Sequence, residues 1–76
     1  NPARAEVQLQ IGSPYQGPVV LTLIDVQGRP VWVATFEKTV FSAEHTLSVQ
    51  NLPEGLYLLR IEQGTRHETR RLSIQP

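Results

Sequence analysis

The chain has 76 residues, seven basic and seven acidic side chains, no cysteine, and 39% apolar residues. A domain of this size buries only roughly 60% of its unfolded surface and holds about 5 kcal/mol of net stability. Zero net charge speaks against a nucleic-acid binder working by counterion release and against an electrostatic membrane anchor; without cysteine, neither a disulfide nor a thiolate metal site can support the fold.

Alternation at a period of two runs through the chain. Val7, Leu9 and Ile11, separated by Gln8 and Gln10, predict a half-buried first strand. The segment Gly12 to Pro18 carries two glycines and two prolines and predicts a loop. Val19 to Val26 is nearly continuously apolar and predicts a central strand, with Leu21 and Leu23 facing the core. Gln27-Gly28 marks a tight hairpin, where glycine accepts the positive φ that such turns use. Pro30, lacking a donor, belongs at the start or on the exposed edge of the third strand, Val31 to Phe36. In that strand Val31 and Val33 share one face and Trp32, Ala34 and Phe36 the other.

Glu37 to Ala43 reads as a mixed crossover, Thr46 to Gln50 as a fourth strand carrying Leu47 and Val49. Asn51-Leu52-Pro53-Glu54-Gly55 turns the chain into a fifth strand, Leu56 to Glu62. Gln63-Gly64 is a second hairpin signal, and His67 to Ile74 the last strand. Helical spacing never persists for two turns. The expectation is all-β: a small antiparallel immunoglobulin-like β-sandwich of six to seven strands.

Catalytic and metal patterns fail one after another. His45 and His67 are the only histidines and sit in no metal-ligand spacing, so both are expected to be solvated, with no metal and no cofactor. Ser42, His45 and Asp25 supply the residue types of a hydrolytic triad but lack a nucleophile elbow. Glu37, Glu44, Glu54, Glu62 and Glu68 fall at turns or outward positions, not in a shared apolar pocket. Gly28, Gly55 and Gly64 are isolated, and none opens a phosphate-binding helix. The chain is therefore expected not to be an enzyme.

Two surface features remain. Tyr15, Trp32, Phe36, Phe41 and Tyr57 either form a sugar-stacking platform or fill an undersized core, and core filling is the stronger reading because aromatic side chains dominate burial. Arg66, Arg70 and Arg71, with Glu62 and Glu68 among them, form either a solvated strand face or a docking surface.

The order of motifs is more specific than any one of them. Asn1-Pro2 is followed by a strand, Asp25-x-x-Gly28-Arg29-x-Val31, and another strand. Then come Leu47-x-Val49-x-x-Leu52-x-x-Gly55-x-Tyr57-x-Leu59-x-Ile61 and the ending Arg70-Arg71-Leu72-x-Ile74. This closely resembles the C-terminal sorting domain of proteins exported by the type IX (Por) secretion system of Bacteroidetes-type bacteria. The resemblance spans Asn1 to Ile74. It implies one domain over residues 1–76, following a larger cargo protein, that directs the cargo across the outer membrane.

The partners implied are the outer-membrane translocation machinery and a sortase-like peptidase that afterwards removes the domain upstream of its start. The places implied are the periplasm in transit, then the outer membrane, cell surface or exterior. Gly28 and Arg29 match the family's hairpin, and Gly55, Tyr57, Leu59 and Ile61 its Gly-x-Tyr strand. Arg70, Arg71, Leu72 and Ile74 match its basic-apolar last strand, expected with Gln75 and Pro76 to be where the machinery reads the domain. Gln75-Pro76 departs from the Lys or Arg with which many members end. The chain starts without Met and without a signal peptide, which fits a piece excised from a larger protein, and no apolar run nears the roughly 20 residues of a membrane span. The competing expectation is an immunoglobulin- or fibronectin-like accessory module that binds carbohydrate or spaces domains in an extracellular enzyme.

Overall fold

The computed structural model describes residues 2–3, 6–39 and 42–75, the side chains of 2, 3, 42 and 43 excepted. Phe41 and Pro76 lie outside the described residues. Seven strands follow in order: β1 (Pro2–Ala3), β2 (Glu6–Gly12), β3 (Gly17–Ile24), β4 (Pro30–Lys38), β5 (Ser42–Ser48), β6 (Gly55–Gln63) and β7 (Arg66–Ile74). No helix occurs among the described residues.

The strands make two sheets, one ordered β1-β7-β6-β3-β4 and the other the pair β2-β5. All pairings are antiparallel except the short β1–β7 contact, which is parallel. The small sandwich expected from the alternation is present, with its strands divided five to two.

Burial follows the period of two. Val19, Leu21 and Leu23 of β3 are buried with Tyr57, Leu59 and Ile61 of β6 and Leu72 and Ile74 of β7. Leu9 and Ile11 of β2, with Leu47 and Val49 from the β5 segment, close the core from the other sheet. Each such side chain contributes about 1.5–3 kcal/mol on full burial, so a handful decides whether a chain this small folds. The overall extents of 34 × 22 × 17 Å leave, in the thinnest direction, room for two sheets about 10 Å apart.

Several boundaries differ from the sequence reading. β3 stops at Ile24, and Val26 is 77% exposed in the turn, because Asp25 draws the backbone into a side-chain-capped hairpin. β4 continues past Phe36 to Lys38, and β5 begins at Ser42 and ends at Ser48, so both ends of the crossover expected over Glu37 to Ala43 are strand. Gly12, Gly17 and Pro18 are strand residues, leaving a loop over 13–16. β1 was not expected: two residues carry no periodicity, and their pairing partner lies at the far end of the chain, at Ser73 and Ile74. Pro30 does open β4, which is the edge of the larger sheet, where its missing N–H costs no ladder bond.

Candidate functional site

The β3–β4 turn shows why Asp25-x-x-Gly28-Arg29 is a unit. Asp25 Oδ1 accepts from Gln27 N at 2.9 Å and Arg29 N at 3.0 Å, and Arg29 Nε donates to Oδ2 at 3.2 Å. The hydrogen bond from the Arg29 backbone, with that from Gln27 and the Arg29 charge, holds the Asp25 carboxyl below its usual value despite opposing desolvation. Gly28 N donates to Asp25 O at 3.0 Å and closes the turn. Arg29 is thus consumed within the hairpin.

The second motif is a corner. Leu52 N donates to Val49 O at 3.1 Å, turning the chain out of the smaller sheet, and Tyr57 Oη donates to Pro53 O at 2.6 Å. This is the tyrosine-corner arrangement of β-sandwiches, in which the ring packs in the core while its hydroxyl ties down the preceding loop. Between them Gly55 has φ +148°, a conformation L side chains rarely adopt, although a Cβ there would meet nothing within 4 Å. Its requirement is conformational, not steric. Leu59 and Ile61 continue the buried row of the same strand.

The last strand is divided between core and surface. Leu72 and Ile74 are 5% and 3% exposed and belong to the core, whereas Arg70, Arg71 and Gln75 are exposed. Arg70 Nε donates to Glu68 Oε2 at 2.7 Å along the strand. On its side away from β6, β7 is paired only at Ser73 and Ile74, by β1, so the backbone edge from Arg66 to Leu72 is unpaired among the described residues. Arg71 points to the outer face of the sheet and lines an open groove of 320 Å³ with Ile24, Val26, Leu56 and Leu58.

The remaining candidates dissolve into structure. His45 is half-buried, its ring stacked on Phe36 at 4.6 Å between centroids and 9° between planes. His67 Nδ1 lies 3.1 Å from Arg60 Nη2 on the exposed sheet face. No group of three or more His, Cys, Asp or Glu able to hold a metal occurs among the described residues. Trp32 and Phe36 pack against the core, Tyr57 is inside it, and Tyr15 folds over Gly17 and Gly64, so these four fill the sandwich and make no common platform.

Sequence reading missed one feature. Lys38 is 0% exposed, and its Nζ donates to Ser13 O at 2.6 Å and Tyr15 O at 3.1 Å. Beside it Ser13 Oγ donates to Gln63 Oε1 at 2.6 Å. The signal was present in parity: Lys38 shares the inward row of Trp32, Ala34 and Phe36.

A model of the family described as secretion system C-terminal sorting domain matches residues 1–75. No curated protein and no solved structure matches the chain. The family match extends over both turn motifs and the split last strand. The chain belongs to the C-terminal sorting domains of the type IX secretion system of Bacteroidetes-type bacteria.

Proposed function

We propose that the chain is the folded export signal of a cargo protein attached ahead of it, read by the outer-membrane translocation machinery through β7. The observation that carries this reading is the division of that strand. Leu72 and Ile74 anchor it in the core, which leaves Arg70, Arg71 and Gln75 and the open backbone edge from Arg66 to Leu72 for a partner. An unpaired edge is a ready template for a partner strand, and exposed arginines set register and choice of partner. Pro76 closes the same segment. The domain passes through the periplasm with its cargo, and a sortase-like peptidase removes it at the cell surface by cutting upstream of the domain. On this reading the domain supplies no chemistry of its own and is the peptidase's substrate, which its membership of a family of sorting domains supports.

The test is export of a periplasm-targeted reporter fused ahead of residues 1–76 in a bacterium that has the type IX system. The full chain is expected to carry the reporter to the surface. Deleting residues 70–76 would also remove two core side chains, so the informative variant is Arg70→Gln with Arg71→Gln. It is expected to cut surface reporter several-fold while the melting curve of the isolated domain stays in place. A reporter that remains periplasmic behind the full, folded chain would sink the reading.

A further inference from the structure

The two outer faces of the sandwich differ in kind. On the smaller sheet, Glu6, Gln8, Gln10, Glu44, Thr46 and Ser48 point outward, an ordinary hydrated surface. On the larger sheet, Val33, Leu56 and Leu58 are 60%, 46% and 40% exposed, with Ile24 half-buried between them. Ile24, Leu58 and Arg71 are register partners across β3, β6 and β7 and so form one outward row. The groove of 320 Å³ lies over this row, with Val26 and Leu56 as its remaining apolar walls.

Its two charged groups are not equivalent. Asp25 is bound to Arg29 and to two backbone amides. Arg71 has no carboxylate within ion-pair distance among the described residues, while Arg29, Arg60 and Arg70 each have one. An apolar floor with one uncompensated guanidinium at its rim calls for a partner that is apolar and anionic within a short span.

Geometry sets the span. Strands lie about 4.8 Å apart, so a side chain seated between Ile24 and Leu58 is roughly 7 Å from the Arg71 position. Side chains at i and i+2 of an extended segment are separated by the same distance, about 7 Å. We propose that this groove docks an extended segment of a partner protein carrying an aliphatic side chain two positions from an acidic one. The aliphatic group sits on Ile24 and Leu58 and the carboxylate meets Arg71. The proposal deepens the sorting reading, on which it rests, by naming what the export partner presents, and it separates the role of Arg71 from that of the backbone edge.

The experiment titrates the isotope-labelled 76-residue chain with acetyl-Thr-Leu-Thr-Glu-Thr-amide and follows amide and methyl shifts by NMR. Shifts confined to Ile24, Val26, Leu56, Leu58 and Arg71 are expected. Replacing the peptide's Glu by Gln, or Arg71→Gln in the chain, is expected to weaken binding about tenfold. Arg66→Gln, which lies outside the groove, is expected to leave it unchanged. Shifts elsewhere, equal affinity for the Gln peptide, or equal loss with Arg66→Gln would overturn the proposal. So would tighter binding of a peptide whose only carboxylate is its C-terminus, or a sedimentation result showing that a second copy covers this face. Loss of peptide binding with reporter export intact would remove the groove and leave the sorting reading standing.

Discussion

Lys38 is the only lysine in the chain, and the fold hides it completely. Its ammonium satisfies the carbonyls of Ser13 and Tyr15 at the loop that carries the chain from one sheet to the other. Lys38→Met keeps most of the volume but strands one buried and one partly buried acceptor, and is expected to cost about 3 kcal/mol in denaturant unfolding. An amine-acylating reagent is expected to spare Lys38 in the native chain and modify it in denaturant, read by mass spectrometry; rapid native labelling would show the site to be open. The residue was legible by parity, since it continues the row of Trp32, Ala34 and Phe36. A charged residue usually marks the end of a strand, however, and the arrival of the 13–16 loop supplies carbonyl acceptors that help make its burial tolerable.

At the level of elements, the β3–β4 hairpin is held by a carboxylate. Because the Asp25 carboxyl is held below its usual value of 3.8 in the folded chain, protons bind the unfolded chain more readily in that range. The hairpin's contribution is complete above the unfolded value and is lost as pH falls through the folded one. Amide exchange of Gln27 and Arg29, whose N–H groups donate to Asp25, is expected to lose protection as pH falls below 3.8, after correction for intrinsic rates. Asp25→Asn is expected to remove that dependence. Unchanged protection in the wild-type chain across that range would show that the carboxylate does not hold the turn. The sequence marked this turn through Gly28 and Arg29, but placed the strand end two residues late, because Val26 continues an apolar run that the Asp25 cap interrupts. The last strand taught the opposite lesson. Its basic-apolar pattern read as one unit, and pairing with β6 buries Leu72 and Ile74 while Arg70 and Arg71 stay exposed.

For the whole molecule, a stability of about 5 kcal/mol makes folding and signalling inseparable. Gly55→Val forces a β-branched residue into φ +148° and is expected to cost about 1–3 kcal/mol, lowering the melting midpoint on the order of 10 °C. Export of a fused reporter is expected to fall with it, through lost stability; an unchanged melting curve would contradict the strain argument. Alternation and turn residues by themselves marked the chain as all-β and most of its apolar core, and the order of its motifs resembled that of a sorting domain. These are local properties, carried by spacing and by turn residues. The tertiary structure decided the five-to-two division of strands, the clasp of β1 on β7, the burial of Lys38 and the row Ile24–Leu58–Arg71. Each of these joins positions far apart in the chain through strand pairing or loop closure, and no period within one segment records which distant segment will lie beside it.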